Sequence, residues 1–307
     1  MAAARKLPTN LLEAARYFED PDVAVEFVAK LRWPEGPVCP RCEGTEHSYL
    51  TTRRVWKCKA CKKQFTVKLG TIFEDSPIPL DKWLTSIWLL ANSKNGVSSH
   101  ELGRAVGLTQ KSAWFVLQRV RLAMQTKSFD PFTGEVEVDE TFVGGKVGNM
   151  HKSVRARKSL GGGVANKAIV AGALERGGAV RAQVVPDTSR RTLEGHVSRH
   201  VLYGSTVYSD AHAGYGRLSQ NYTHATIDHA VRYVDGRVHT NGIENFWALL
   251  KRGLHGTYVS VAPEHLFRYL DERVFTFNLR DLTDLGRFTA VLSAVSGRRL
   301  TYAELTA

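Results

Sequence analysis

The chain has 307 residues, with 42 Lys and Arg against 30 Asp and Glu, a formal net charge of +12. Its 43% hydrophobic and 23% charged residues exclude a disordered, collagen-like or coiled-coil chain, and its length predicts more than one domain. The positive surplus points to a polyanionic partner, nucleic acid before an anionic membrane surface, because a basic face that neutralises phosphates releases their condensed counterions.

The first residues, MAAARKLPTN, carry polar residues too early for a signal peptide, and the most apolar run, 83–91, is too short to span a bilayer. No membrane association is expected. Residues 1–36 read as a helical segment, with Leu11, Leu12, Ala15 and Phe18 and then Val23, Val25, Phe27, Val28 and Leu31 at helical spacing, closed by Trp33-Pro34-Glu35-Gly36-Pro37.

A cysteine module follows at 37–70. Cys39-x2-Cys42 and Cys58-x2-Cys61 are separated by fifteen residues, and no other cysteine occurs. Two disulfides are the alternative for an even count, but that suits small secreted chains. Paired knuckles at this spacing suit one structural Zn²⁺, which replaces the core that so short a segment cannot build. A cytoplasmic, reducing location agrees with four thiols. From Cys39 to Lys68 there are eight Lys and Arg against two Glu, so Arg53, Arg54, Lys62 and Lys63 are candidate DNA contacts, the alternative being a solvated basic face.

Residues 78–130 read as a helical region. Ser98–Thr109 has the pattern of a helix and a turn: Leu102, Ala105 and Val106 make an apolar face, Gly107 supplies the turn and Thr109 caps a second helix at 110–124. In that second helix Trp114, Leu117, Val120 and Met124 point inward. Lys111 and Arg119 fall on the other face as candidate DNA contacts of a helix-turn-helix, with Arg121 nearer the apolar side; a plain helical hairpin is the alternative.

From Gly134 the pattern changes. β-rich runs at 135–143, 168–174, 179–185 and 205–209 alternate with helical stretches at 189–200, 242–252 and 263–280, which predicts an α/β domain with a mixed sheet over 131–285, leaving 286–307 as a C-terminal tail. Residues 144–166, rich in Gly, Lys and Arg, read as a loop. Alternation places Glu135, Glu137 and Asp139 on one face of the first strand. Asp210 ends a later strand, and Glu244 opens a helix with Lys251 two turns on. Each has a plainer reading: solvent-facing carboxylates, a turn-forming Asp, a Glu that satisfies a helix end. His212, His224, His229 and His239 form a secondary group whose spacing matches no metal motif.

Together CPRC…CKACKKQF, ELGRAVGLTQKSAWFVLQRVR, EVEVDETFVGGK, VYSDAHAGY, HTNGIENFWALLKRGLHGTY and HLFRYLDERVFTFNLR resemble the DDE transposases of bacterial insertion sequences, in the group with an N-terminal zinc ribbon before a ribonuclease-H-like catalytic domain. The resemblance runs from about Phe18 to Arg280. It implies Asp139, Asp210 and Glu244 as a catalytic triad holding two Mg²⁺ or Mn²⁺ ions, with Lys251, in a Glu-x6-Lys pattern, on DNA phosphate. The third position varies within the group, and Asn245 stands beside Glu244. The implied activity is binding of terminal inverted repeats, 3′-end cleavage and strand transfer into target DNA, in a homo-oligomeric synaptic complex associated with the nucleoid. A domesticated, non-catalytic DNA-binding regulator and a ribonuclease-H-type nuclease are the competing expectations.

Overall fold

The computed structural model describes residues 6–125, 130–144, 167–227 and 236–306. Apart from Gly144, the basic loop expected at 144–166 lies outside them, as does His229. The chain divides into two compact units, residues 1–125 with 279–307, and residues 126–278.

The first unit begins with helices α1 (Leu11–Phe18) and α2 (Pro21–Arg32), capped by the side chains of Asn10 and Asp20. Pro21 opens α2, where its missing N–H is not needed. The cysteine module forms an antiparallel three-stranded sheet, β1 (His47–Leu50), β2 (Val55–Cys58) and β3 (Gln64–Phe65). Arg53, Lys62 and Lys63 are exposed on it. Arg54 instead turns to α2, its Nε 2.7 Å from Asp22 Oδ1.

Helices α3 (Leu80–Asn92), α4 (Ser99–Val106) and α5 (Gln110–Met124) follow. Ser98 and Glu101 form a reciprocal capping box at the start of α4, Gly107 ends it at φ +64°, and Thr109 Oγ1 accepts from the Ser112 amide to cap α5. A side chain at Gly103 would meet the Leu108 carbonyl at 2.8 Å, so only glycine allows the turn to fold back this closely.

The second unit is built on a mixed five-stranded sheet in the order β6-β5-β4-β7-β8: β4 (Glu135–Val143), β5 (Ala168–Glu175), β6 (Val180–Val185), β7 (Thr206–Asp210) and β8 (Thr223–Ile227). β4 is central, antiparallel to β5 and parallel to β7. Helix α6 (Arg190–His200) covers one face, where Leu193 and Val197 pack against Val136, Val138 and Ala171. Helices α7 (Asn241–Arg252) and α8 (Leu266–Asn278) cover the other, around Ile243, Phe246, Trp247 and Leu250. A π-helical turn, Gly253–Tyr258, follows α7.

The chain then returns to the first unit. Helix α9 (Asp284–Ser293) and the short α10 (Tyr302–Thr306) belong to that unit. The expected tail is therefore a structural element: Phe288 is fully buried and lies 5.0 Å from the Trp88 ring and 5.5 Å from that of Phe18. Truncating an aromatic side chain so placed costs about 3–5 kcal/mol.

This return also corrects the reading of α5. The face assigned to Arg119 is covered, leaving Arg119 3% exposed and Arg121 1% exposed. Arg119 Nε donates to the Leu300 carbonyl at 2.8 Å, and its Nη1 to the carbonyls of Ile72 and Glu74 at 2.8 and 2.7 Å. A guanidinium committed to three backbone carbonyls is not displayed to a partner; Lys111 on the same helix remains exposed. Arg119→Ala is expected to lower stability by about 3 kcal/mol, because it strands buried carbonyls. Thermal denaturation checks this, and an unchanged Tm with weakened DNA binding would restore Arg119 to the surface.

Candidate metal centres and the carboxylate site

The four cysteine sulfurs lie within 4.8 Å of one another. Cys39 Sγ is 3.7 Å from Cys61 Sγ and Cys42 Sγ 3.6 Å from Cys58 Sγ, far beyond a disulfide bond. A tetrahedral metal with sulfur arms of about 2.3 Å has edges of about 3.8 Å, so the spacing fits a Zn²⁺ site closed by four thiolates. The knuckles are built alike. The residue after each second cysteine, Glu43 and Lys62, takes a left-handed backbone at φ +59° and +61°. The Cys61 amide, followed by the Cys42 thiol and the Ala60 amide, holds the Cys58 thiol down to about 7, toward the thiolate a metal needs. One zinc per chain is expected by metal analysis. A strong chelator, or Cys39→Ser, should remove it and lower the first thermal transition; undiminished zinc in the Ser variant would move the site.

A second group of potential ligands gathers in the other unit, where Asp139, Glu140 and Asp210 offer oxygens within 4.8 Å of one another. Strand pairing explains why. β4 pairs along its length with β5, but its pairing with the parallel β7 ends at Glu137↔Tyr208. Past that point the two strands part, and the next acidic residues line the opening at their carboxyl ends, where open α/β sheets take their ligands.

Each carboxylate is held by its neighbours. Trp247 Nε1, from α7, donates to Asp139 Oδ2 at 2.9 Å. Trp247 reaches it because Gly172, which pairs with Asp139 across β5, has no side chain: a Cβ there would lie 2.7 Å from the indole. Buried Tyr215 donates its hydroxyl to Glu140 Oε2 at 2.8 Å. The His212 amide donates to Asp210 Oδ1 at 3.1 Å, and Gly214 N–H donates to His212 Nδ1 at 3.0 Å. A neutral His212 therefore carries its proton on Nε2, 3.9 Å from Glu140 Oε1.

Burial, then the Asp210 and Glu140 charges, pushes Asp139 up to about 7. Burial likewise raises Glu140. Three crowded oxygen donors, with the ionised forms of Asp139 and Glu140 disfavoured, fit a site for hard divalent cations.

Glu244 stands apart from this group. It accepts from Thr240 Oγ1 at 2.9 Å, one helical turn before Trp247. Asn245 is exposed and Lys251 half-buried further along α7. Glu137 shares its strand face with Asp139, as alternation predicts, but is buried for another purpose. Its Oε2 accepts the Ile243 amide at 3.0 Å, at the start of α7, and its Oε1 accepts Arg176 Nε at 2.9 Å. Glu135 is engaged by Arg237, Tyr208 and Arg176, and Arg237 leads in holding it down to about 2.

The described histidines of that group have different partners. His212 lies at the carboxylates, His224 Nε2 is 2.8 Å from Ser209 Oγ, and His239 Nδ1 is 3.2 Å from Arg176 Nη2. The sequence reading passed over Glu140, Tyr215, Gly172 and the hydrogen bond of Trp247. Adjacency to Asp139 was the only signal for Glu140.

Folded Asp139 keeps its proton to about pH 7, whereas unfolded it releases it near 3.8. The folded state thus binds the extra proton between these values, and stability falls as pH rises through them. In chelator, Asp139→Asn should exceed the parent in Tm by several degrees above pH 7, an advantage that shrinks to nothing toward pH 4. A constant difference across that range would show that Asp139 is not desolvated.

Residues 131–278 match the ISXO2-like transposase domain family, and residues 19–64 match the transposase zinc-ribbon domain family. The chain is also similar to a protein described as an uncharacterized protein in transposable element ISH50 of Halobacterium salinarum, 26% identical over 263 residues, which span 80% of this chain and 87% of that one. No solved structure matches. Among the described residues no helix is long and apolar enough to cross a membrane.

Proposed function

The chain belongs to the DDE transposases of insertion sequences that carry an N-terminal zinc ribbon, and from that premise we propose that it cuts the 3′ ends of its own element and joins them to target DNA. The observation that carries this reading is the meeting of Asp139, Glu140 and Asp210 at the parting of β4 and β7, inside the segment matched to the transposase family. The strand order, three antiparallel strands with two parallel ones added beside the first, supports a ribonuclease-H-like catalytic domain.

Asp139 and Asp210 hold the divalent cations, and Glu244 completes the set. The bond from Trp247 to Asp139 supports this, because it ties α7 to the carboxylate strand one turn beyond Glu244. Two Mg²⁺ or Mn²⁺ ions bound there supply charge neutralisation at the phosphorus and an activated attacking oxygen. Tyr215 and His212 orient Glu140 and Asp210, and Lys251, two turns past Glu244, takes a DNA phosphate near the cut. The ribbon cations Arg53, Lys62 and Lys63, with Lys111 on α5, read the terminal inverted repeats. Two ends are brought together in a homo-oligomer.

A labelled duplex carrying the element's end, incubated with the protein in Mg²⁺, tests this. Specific 3′-end cleavage is expected, and Asp139→Ala, Asp210→Ala and Glu244→Ala should each reduce it by at least about a thousandfold. Retained cleavage in Glu244→Ala moves the third ligand to Glu140 or Asn245. End binding without cleavage by the parent protein turns the reading to a DNA-binding regulator.

A further inference from the structure

On the sheet face opposite α7, helix α6 and the edge strand β6 enclose a cavity of about 270 Å³. Gln183, Arg191, Thr192, His196 and Arg199 line it, and among the described residues none of its lining side chains is acidic. His196 is 3% exposed, and neither ring nitrogen has a hydrogen-bond partner among the described residues. A buried imidazole left unsatisfied is costly, so the occupant of the cavity is the partner it lacks. Arg199 is already drawn to the rim, its Nη1 donating to Gln183 Oε1 at 3.2 Å. Two guanidinium groups and a buried imidazole in one lining, with no carboxylate among the lining residues, make a receptor for a phosphoryl oxygen group.

Strand register fixes its distance from the carboxylates. Gln183 pairs with Ala171 across β5, and Ala171 pairs with Glu140 on β4. The three residues share one row and one face, and two strand spacings of about 4.8 Å separate Gln183 from Glu140 by about 10 Å. Successive phosphates on one strand of duplex DNA wind around the axis and lie farther apart than its rise, so that distance is no more than a few nucleotide steps.

The geometry points to this cavity as a seat for a phosphate of the DNA backbone, a few nucleotides from the phosphate that is cut. The inference rests on the proposed transposase reading and adds to it a contact that sets the register of the strand.

Fluorescence anisotropy of a labelled duplex end, without divalent cation and over a series of KCl concentrations, tests it. Loss of one phosphate contact reduces the slope of log affinity against log salt by about 0.9. The double variant Arg191→Ala/Arg199→Ala should show that reduction while keeping the parent's Tm, since both side chains are exposed. His196→Phe should fold at least as stably as the parent, because a ring without orphaned nitrogens replaces one with them. Inorganic phosphate at matched ionic strength is the small probe. A rise in Tm in the parent, absent in both variants, shows that the seat takes a free phosphate as well; a reduced slope without that rise shows that it takes phosphate only within DNA. An unchanged slope in the double variant, with parent binding and Mg²⁺-dependent cleavage intact, overturns the seat alone. A parent protein that neither binds nor cleaves the duplex overturns the transposase reading, and the seat with it.

Discussion

Asp139, Glu140 and Asp210 repel one another at close range, and the burial that shields them from water strengthens that repulsion. A site of this kind keeps its shape only if neighbours hold each carboxyl in place. Much of the second unit does so. The parting of β4 from β7 opens the space, Gly172 clears a path for Trp247, and Tyr215 and His212 fix the carboxyls on the other side. The strain of assembling like charges is what a divalent cation would relieve on binding, so the cost of the empty site adds to affinity for the ion.

Two carboxylates on the same strand face, two residues apart, show how environment decides role. Glu137 is buried more deeply than Asp139, yet it meets Arg176 and an amide at the start of α7. Its charge is compensated from within the protein, and it anchors a helix. Asp139 meets one indole N–H and two further carboxyls. Its charge is left for something from outside. Alternation put both on one face; the difference lies in what α7 and the turn after β5 bring to each.

Much of this was legible in the sequence. The cysteine spacing announced the ribbon, because a tetrahedral metal site demands paired thiols at short range, and Gly107 and Thr109 announced the turn and cap that the structure contains. The long strands appeared as alternating runs. β8 did not, since Thr223-His224-Ala225-Thr226 is a polar, largely exposed edge without an apolar face. Arg119 was misplaced because helical periodicity measures one apolar stripe, whereas α5 is covered on several sides, one of them by residues nearly two hundred positions away. The same distance hid α9: its apolar residues become core only when Phe18 and Trp88 meet them. Glu140 and Gly172 gained their roles from pairing across strands, which no local window contains.

That return of the chain has a consequence for how the protein is made. The second unit is an insertion, entered at residue 126 and left at 278, in a unit whose core is shared between the two ends of the chain. During synthesis from the N-terminus the carboxylate unit is complete before the residues that close the first unit have been added. The ribbon and α1–α5 wait with an apolar surface that is covered once Phe288, Val291 and Leu292, and after them Val295 and Leu300, have been added. A ribosome that stops short of residue 279 thus releases a chain with its carboxylate strands whole and its cysteine-bearing unit unfinished. Addition of the residues beyond 278 becomes the last step in assembling the part of the molecule that carries the cysteines.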